Sequence, residues 1–510
     1  MSGSEMAEGA AASRYGSAGT PTVVVVGAGF GGIAAGVKLR NAGIDTFTII
    51  EGSAGVGGTW WDNRYPGAEV DVASHLYSYA FKRHDWTRTH ARQAELQKYL
   101  EEVVDDYHLR PNLRLGTLVE EAVWDERTHE WHVRLDTGET LVAHVLVSAV
   151  GFLNTPRYPD WPGLDDFAGP KFHTARWEFE HDLDGKRIGV VGTGSTSAQV
   201  VPELAKIAKK LFVFQRDPGW VIAKGDRDFT PEERAALRKP INHWKLRLRS
   251  SWLIEKGLIR ADLYRPGSKV NQLREAGCRA YIEREFADRP DLQEAVTPSY
   301  PYPGKRPILA SGYYPALKLP NVELVPKAVE KVTERGLVDV DGVEHEIDVL
   351  VMSTGFYAAE YLPRLPVVGR DGIELHDFWN GEPFAFLGMT VPGFPNFVML
   401  YGPNTNGGEI VANLERQAEY AVRIARRLQY ENVTAVEVKP WVCRVFNDWL
   451  QARMLGTSWT STHTYFVSPT GRVVTQWPYG ATIYGVMTKL FGRVTETTRN
   501  LKPGGTTRLG

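Results

Sequence analysis

Three glycines near the start of the chain have the spacing that a dinucleotide-binding turn requires. Gly27, Gly29 and Gly32 follow the β-branched run of residues 23–26 and form a G-x-G-x-x-G pattern. The first glycine allows a tight turn, the second lets the backbone approach a pyrophosphate, and the third lets the next helix pack on the strand. Glu51 ends the following predicted strand about 20 residues on, where a carboxylate accepts hydrogen bonds from a ribose diol. The segment therefore predicts a βαβ unit that binds a dinucleotide.

The same arrangement occurs again further along the chain, with a basic residue where the first unit has an acid. Gly192 and Gly194 repeat the turn, and Ser197 stands at the third glycine position, where a small side chain fits. Arg216 ends the second strand of this unit, and a guanidinium there suits the 2′-phosphate of NADPH. Gln215 beside it is a further candidate for holding the phosphate. NADPH is the expected second nucleotide; an NADH-type site with Arg216 facing solvent is the alternative.

Two such units in one chain indicate hydride transfer between a nicotinamide and a second ring-bearing cofactor. A flavin domain followed by a nicotinamide domain is the economical pairing, so we expect FAD in the first unit and NADPH in the second. The aromatic-rich loop after the first unit suits a large flat ring. The predicted nucleotide contacts of the two units are Gly27, Gly29, Phe30, Gly32 and Glu51, and Gly192, Thr193, Gly194, Ser195, Thr196, Ser197, Gln215 and Arg216.

Two further segments carry longer fingerprints. Residues 57–71 match [A/G]-G-x-W-x-x-x-x-[F/Y]-P-[G/M]-x-x-x-D at every fixed position. Residues 167–177 match F-x-G-x-x-x-H-x-x-x-W, and the next position, proline or aspartate in the pattern, is Glu178. On these motifs the sequence resembles the type I Baeyer–Villiger monooxygenases, single-component flavoproteins that use FAD and NADPH. The two units and both fingerprints span most of residues 20–360.

The resemblance implies that the chain converts a ketone to an ester or lactone by O2 insertion through a C4a-peroxyflavin, with NADPH as electron donor. It implies that Arg306 stabilises the anionic oxygen beside the flavin and that Asp71 holds its guanidinium. His173 would move with a hinge between the two nucleotide domains. Further cofactor contacts implied by the resemblance are Thr59, Trp60, Asp71 and Tyr77 beside the flavin, Lys305 on the NADPH phosphate and Trp459 on the nicotinamide half.

Other functions fit parts of this pattern. A flavin-containing monooxygenase that oxidises sulfur or nitrogen shares the nucleotide units, but its histidine fingerprint is shorter and lacks the ending at Trp177. A redox sensor or structural flavoprotein would keep those units without a use for Arg306 and Asp71. A disulfide reductase needs a redox-active cysteine pair, whereas Cys278 and Cys443 are far apart and form no C-x-x-C motif. Linear, cyclic, aromatic and steroid ketones all remain open as substrates.

These residues need an α/β fold to position them. We expect two Rossmann-like dinucleotide-binding domains with a helical insert, the architecture of class B flavoprotein monooxygenases. The predicted boundaries are 1–19 for a disordered tail, 20–155 and 371–510 for the FAD-binding domain, 156–224 and 300–370 for the NADPH-binding domain, and 225–299 for the insert.

Two helical segments can be located from their local patterns. The insert opens at Thr230, an N-cap candidate, with Pro231 in the first helical position and Glu233 completing a capping box. Its helices are expected to reach about residue 295, and the insert either contacts the substrate or is purely structural. Near the C-terminus, apolar residues recur at helical spacing over 413–428, which predicts a helix packed on the core.

The composition limits the classes of molecule that the chain is expected to bind. The 510 residues include 59 lysines and arginines against 61 aspartates and glutamates, and no long run of one sign stands out, which gives no electrostatic footprint for nucleic acid or an anionic membrane. With two cysteines there is no Cys-rich metal pattern, and a reducing, cytoplasmic setting is the default. No segment is apolar over the ~20 residues that a spanning helix needs. We expect a cytoplasmic monomer without a metal, whose partners are a small ketone and O2 and include neither nucleic acid nor a membrane.

Overall fold

The computed structural model describes residues 20–256, 258, 261–462, 464–501 and 507–509. The predicted tail over residues 1–19 lies outside the described residues. The strands are β1 (Val23–Val26), β2 (Phe47–Ile50), β3 (Leu113–Arg114), β4 (Val119–Asp125), β5 (Glu130–Leu135), β6 (Thr140–Ala143), β7 (Val145–Ser148), β8 (Lys171–His173), β9 (Arg187–Val191), β10 (Lys210–Phe214), β11 (Val221–Ile222), β12 (Ile308–Leu309), β13 (Val322–Val325), β14 (Val329–Val332), β15 (Gly336–Asp339), β16 (Glu344–Glu346), β17 (Val349–Met352), β18 (Val367–Val368), β19 (Phe397–Met399), β20 (Ala435–Val438), β21 (Glu496–Leu501) and β22 (Thr507–Leu509). The α-helices are α1 (Phe30–Asn41), α2 (Thr59–Asp62), α3 (Gln93–Asp106), α4 (Ser195–Leu204), α5 (Pro231–Leu237), α6 (Pro240–Glu255), α7 (Lys269–Glu285), α8 (Pro290–Val296), α9 (Tyr313–Leu317), α10 (Leu375–Trp379), α11 (Ile410–Tyr430), α12 (Pro440–Met454) and α13 (Ala481–Leu490).

The first glycine motif follows the central strand of a five-stranded sheet of order β19-β7-β1-β2-β3. β1 pairs in parallel with both β2 and β7, and β19 enters from the C-terminal part of the chain. The four valines of β1 are buried on both faces, as parallel strands require. Val23 and Val25 pack with residues of α1 and α11, whereas Val24 and Val26 pack with β4 and β5. The sheet is therefore covered on both faces, and its carboxyl edge is left for a ligand.

A second parallel sheet repeats this architecture in the order β13-β10-β9-β17-β8. α4 connects β9 to β10, and the second glycine motif lies at the carboxyl end of β9. β8, which ends at His173, forms the edge and pairs in parallel with β17. Two parallel sheets with helices on them confirm the predicted α/β class. In such sheets ligands bind outside the carboxyl ends of the strands.

The glycine turns have backbone conformations that other residues rarely adopt. Gly27 and Gly192, the first glycines of the two motifs, have φ values of 103° and 121°. A Cβ on Gly27 would lie 2.7 Å from the carbonyl oxygen of Ala149. A Cβ on Gly32 would collide with the Gly27 carbonyl, so the third glycine permits helix–strand packing as predicted. Ser197 is fully buried at the equivalent position of the second motif.

The helices of the insert begin and end close to the predicted positions. The Thr230 hydroxyl accepts a hydrogen bond from the Glu233 amide at 3.2 Å, and the Glu233 carboxylate accepts one from the Thr230 amide at 2.9 Å. This confirms the capping box at the start of α5. The last insert helix, α8, ends at Val296. The predicted C-terminal helix is also confirmed, as α11 with its apolar side buried.

Candidate active site

A cavity of about 1980 Å³ is lined by residues that follow the carboxyl ends of strands in both sheets. A pocket for one small ligand typically measures ~300–1,000 Å³, so this cavity has room for more than one. Most of the predicted site residues line it: Gly27, Gly29, Phe30, Glu51, Thr59, Trp60, Asp71, Tyr77, Gly192, Thr193, Gly194, Ser195, Thr196, Arg216, Lys305, Arg306 and Trp459. Gly32, His173, Ser197 and Gln215 do not.

On the side of the first sheet, Glu51 is oriented by two backbone donors. One carboxylate oxygen accepts from the Ala28 amide at 2.7 Å and the other from the Ser53 amide at 2.9 Å. An ionised carboxylate has about four acceptor positions, so positions remain for ribose hydroxyls. Gly58, with φ of 55°, brings the aromatic-rich loop to the glycine turn: a Cβ there would lie 3.0 Å from the Cα of Gly29. The loop and the turn thus form one continuous wall.

Three aromatic side chains form the next part of this wall. The indole nitrogen of Trp60 donates to the hydroxyl of Tyr77 at 3.3 Å, and the two rings meet edge to face at 5.8 Å. Phe30 contacts Tyr77 in the same geometry at 5.0 Å. Because Trp60 and Tyr77 hold each other in place, a flat ring entering the cavity meets a rigid surface.

Arg306 and Asp71 form an ion pair in the cavity wall. Nη2 of Arg306 lies 2.8 Å from Oδ2 of Asp71, and the carboxylate is the more deeply buried partner. Withdrawal from bulk water lowers the pKa of Arg306, but the charge of Asp71 outweighs this and the net pKa is raised. The other Asp71 oxygen, Oδ1, is buried without a hydrogen-bond partner among the described residues. The pair therefore presents a permanent cation to the cavity.

Two tyrosines near this pair were missed by the sequence analysis. The phenols of Tyr401 and Tyr465 lie close enough to Arg306 to influence its pKa, and both line the cavity. Burial raises the pKa of each phenol, so both stay protonated near neutral pH. The hydroxyl of Tyr401 donates to Oδ1 of Asn406 at 2.9 Å. The glycine- and asparagine-rich segment around residue 404 was the only sequence signal for this contact.

At the second sheet, two cations converge on an acid that the sequence analysis did not select. Nζ of Lys305 lies 3.0 Å and Nε of Arg216 lies 3.3 Å from Oδ2 of Asp217. Burial raises the pKa of Asp217, but the two cations outweigh this and lower it overall, so the acid stays ionised. Arg216 is largely exposed. Both cations are thus placed for a second anion at the cavity edge.

Gln215 does not point into the cavity, which corrects its assignment as a phosphate contact. Its side chain is buried, and Nε2 donates to the carbonyl of Ala295 in α8 at 2.7 Å. Successive residues leaving a strand point to opposite sides, so Arg216 and Gln215 cannot both face the ligand. Gln215 instead attaches the insert to the second sheet.

His173 is buried behind the cavity wall. Its Nδ1 accepts from the Ala175 amide at 3.1 Å, and its ring lies between Tyr158 and Phe356 at 5.5 and 5.7 Å. Burial lowers the pKa of His173 to about 4, so the imidazole is neutral near pH 7. Phe356 lines the cavity whereas His173 does not. The histidine is placed to act on the wall, not on the reacting atoms.

The two fingerprints connect the sheets to each other. The hydroxyl of Tyr65 donates to Oε1 of Gln199 in α4 at 2.8 Å. Nη1 of Arg176 lies 3.2 Å from Oδ2 of Asp62 in α2. Within the second fingerprint, Trp177 packs edge to face on Phe172 at 5.0 Å. The fingerprint residues thus join the two nucleotide units mechanically.

The two glycine turns fit the phosphates of dinucleotides. Gly29 and Gly194 are the N-cap residues of α1 and α4, and neither helix has a side-chain cap or an acid in its first turn. Their first backbone amides are therefore open to an anion, which the helix dipole favours. A Cβ on Gly194 would have no neighbour within 4 Å, so the space beside it belongs to the cavity.

Gly194→Ala is expected to leave the fold intact and to weaken NADPH binding. Gly194 has an ordinary φ of −78°, so alanine is not strained there, but its methyl group occupies the space that the pyrophosphate needs. We expect the KM for NADPH to rise at least ten-fold, with unchanged FAD content and thermal midpoint. Gly32→Ala is the contrasting variant, because its methyl group collides with the Gly27 carbonyl and should lower the midpoint and the FAD content. Unchanged NADPH kinetics in Gly194→Ala would contradict this placement.

The chain is similar to known proteins over most of its length. Residues 24–251 match the family model described as pyridine nucleotide-disulphide oxidoreductase. A Baeyer–Villiger monooxygenase of Streptomyces coelicolor is 39% identical over 464 residues, 89% of this chain and 88% of the relative. The chain belongs to the Baeyer–Villiger monooxygenases. The family that the two fingerprints predicted is thereby confirmed.

Solved structures of similar proteins show the same fold. Cyclohexanone monooxygenase from Rhodococcus sp. Phi1 bound to NADP+ is 32% identical and superposes with a TM-score of 0.85 over 94% of this chain and 100% of the other. OTEMO in complex with FAD and NADP is 27% identical, with a TM-score of 0.85 over 96% and 99% of the two chains. The predicted two-domain architecture of this Baeyer–Villiger monooxygenase is confirmed by these similarities.

The disulphide-oxidoreductase family model reflects shared nucleotide units and not shared thiol chemistry. Cys278 and Cys443 are both buried and unbridged. Burial raises the pKa of Cys278 to about 11 and that of Cys443 to about 12, so neither thiol is a ready nucleophile. The two cysteines of this Baeyer–Villiger monooxygenase are therefore not placed to act as a redox-active pair.

Proposed function

We propose that this chain converts a ketone to an ester or lactone, with Arg306 and Asp71 at the reacting centre. The net reaction consumes the ketone, O2, NADPH and a proton and yields the ester, NADP+ and water. FAD and NADPH, the predicted cofactors, are confirmed by the similarity to structures with FAD and NADP bound. The observation that carries the site is the Arg306–Asp71 pair at 2.8 Å in the wall of a cavity reached by both glycine turns.

Bound FAD, once reduced by NADPH, supplies the O2 chemistry, and the residues of the chain position and stabilise the reactants. Arg306 places a permanent positive charge where an oxygen must remain anionic to attack a carbonyl carbon. Asp71 orients the planar guanidinium. Trp60 and Tyr77 would support the flat flavin ring, and Glu51 would accept hydrogen bonds from the ribose in the adenosine half of FAD. The protonated phenols of Tyr401 and Tyr465 complete the polar surroundings of Arg306.

His173 is proposed as a positioning residue. It ends β8, and its register partner Met352 ends β17, the strand that leads to Gly355 and Phe356 in the cavity wall. A neutral ring packed on Phe356 transmits a shift of β8 to that wall without gaining or losing a proton. This location supports a role in moving the cofactor between poses, as expected from the second fingerprint.

Arg216→Ala is expected to raise the KM for NADPH roughly ten-fold and to leave the KM for NADH unchanged. Only NADPH carries the 2′-phosphate, and one charge-assisted hydrogen bond contributes about 1.5–3 kcal/mol before solvent screening reduces it. Steady-state kinetics with both nucleotides would test this. Arg134→Ala, at an exposed arginine outside the cavity, is the control. An equal loss with both nucleotides would remove Arg216 from the phosphate site.

Product analysis tests the proposed function directly. The FAD-loaded protein, NADPH and air are incubated with cyclic, linear, aromatic and steroid ketones and with a thioether, and products are identified by mass spectrometry. An ester or lactone from any ketone supports the proposal. Sulfoxide as the sole product would favour a heteroatom-oxidising flavin-containing monooxygenase instead.

A further inference from the structure

Helix α6 of the insert is amphipathic in the opposite sense to an ordinary surface helix. Its buried side chains are His243, Arg247 and Glu255, which are polar or charged. Its outward row is apolar: Ile241, Trp244, Leu248 and Trp252 expose 61%, 39%, 67% and 62% of their surface. These four recur at intervals of three and four residues and so lie on one face. Contiguous exposed apolar surface of this kind marks an interaction site.

Polar contacts on the inner side fix this orientation. Nη1 of Arg247 donates to the carbonyl oxygens of His75 at 2.8 Å and Ser78 at 3.1 Å. The carboxylate of Glu255 accepts from the Ala481 amide at the start of α13 at 2.6 Å. Rotating α6 to bury its apolar row would break these bonds and leave buried charges unpaired, which is costly. The outward apolar row is therefore a stable property of the folded chain.

The rim of the apolar row is cationic. Lys245 and Arg249 lie on its exposed flank, and Lys239 and Lys256 lie at the two ends of the helix, all four exposed. Within the described part of the chain, none of them forms an ion pair. The one acid of α6, Glu255, is on the buried side. The overall charge of the chain is near zero, so this local concentration is invisible in the composition.

An apolar row with two tryptophans and a cationic rim matches the interface of an anionic bilayer. Indole rings favour the headgroup level, and lysine and arginine extend toward anionic lipids. α6 has 16 residues, about 24 Å of helix, which suits lying flat on the surface. Among the described helices, none is long and apolar enough to cross a membrane. A two-fold pairing with a second copy would instead bring like-charged rims together.

We propose that the outward face of α6, formed by Ile241, Trp244, Leu248 and Trp252 with Lys245 and Arg249, binds the surface of a lipid bilayer that contains anionic headgroups. None of these residues lines the cavity, so binding does not require a change in the active site. An enzyme held there meets apolar ketones where they concentrate. The proposal stands independently of the reaction assigned to the cavity.

Vesicle flotation of the FAD-loaded enzyme tests this surface. We expect it to float with vesicles of phosphatidylcholine and phosphatidylglycerol, less with phosphatidylcholine alone, and to be released at about 1 M salt, where charges are screened within ~3 Å. Trp244→Ser with Trp252→Ser should lower partitioning at least ten-fold. Lys245→Gln with Arg249→Gln should lower it roughly twenty-fold on anionic vesicles only. The matched control is the double variant Val340→Ser with Val343→Ser. It removes two apolar side chains, each 53% exposed, from a surface outside α6.

The outcomes distinguish a lipid bilayer from a second copy of the chain as the partner of this α6 face. Loss of flotation in both α6 variants, with normal NADPH oxidation and an unaffected control, supports the proposal. Absence of flotation by the unmodified enzyme overturns it, as does equal binding to neutral and anionic vesicles. A dimer by light scattering that dissociates in the tryptophan variant, without vesicle binding, would assign the face to a second copy.

Discussion

Replacing Arg306 by lysine is expected to lower ester or lactone formation by about two orders of magnitude, while NADPH still reduces the flavin at its normal rate. Lysine keeps the charge but loses the planar fork that Asp71 holds at 2.8 Å. An ammonium with free rotamers is displaced from the reacting oxygen, and a misplacement of about 1 Å can cost ~100-fold. Reduction is unaffected because it needs no anionic oxygen.

The size of this effect depends on how far water is excluded. A unit positive charge ~4 Å from the anionic oxygen stabilises it by ~1 kcal/mol in bulk water and by ~4 kcal/mol at an effective dielectric near 20. The latter equals about three pKa units for the attacking oxygen. The Arg306 side chain is 40% exposed and lines the cavity, so bound cofactors that fill the cavity would exclude water from it and bring its effective dielectric nearer 20.

Stopped-flow reduction of the flavin without O2, followed by product analysis in air, checks both halves of this expectation. The variant should consume NADPH in air and release hydrogen peroxide in place of ester. Arg157→Lys is the control, since Arg157 lines the same cavity without an acidic partner among the described residues. A normal ester yield from Arg306→Lys would remove Arg306 from the mechanism.

Structural features that depend only on residues close together in the chain could be predicted from the sequence. The turn glycines, the capping box at Thr230 and the α11 core face each follow from local backbone or periodicity. The direction of the Gln215 side chain could have been predicted by the same local reasoning. It precedes Arg216 at the end of a strand, and alternation alone sends the two side chains to opposite sides.

Contacts between distant segments could not be predicted in this way. Tyr401 reaches Arg306 because β19, which it follows, enters the first sheet from the C-terminal part of the chain, and Tyr465 reaches it from a separate segment further on. The ring of His173 contacts Phe356, which the β8–β17 pairing brings to it, and Tyr158, whose segment reaches it through a bridge between Pro156 and Phe356. The apolar outer face of α6 was equally hidden, because helical periodicity shows an amphipathic helix but not which side faces the protein.

Replacing Asp71 by asparagine is expected to lower ester formation by roughly ten- to a hundred-fold. The amide keeps the size of the side chain and removes the charge that orients Arg306 and raises its pKa. Arg306 stays cationic without this partner, because a guanidinium does not lose its proton in proteins. The loss therefore reports on orientation and not on charge at the reacting oxygen. Flavin reduction should again be normal.

The double variant Arg306→Lys with Asp71→Asn decides whether the two residues act as one unit. If Asp71 acts only through the guanidinium fork, ester formation by the double variant is no more than about two-fold lower than by Arg306→Lys alone. The reason is that the effects of substituting two residues of one ion pair do not add. Asp160→Asn removes a cavity-lining carboxylate that has no cationic partner in the described part of the chain, and should leave ester formation unchanged. Multiplied losses in the double variant would show that Asp71 contributes separately, its unpaired Oδ1 being the atom available for a second contact.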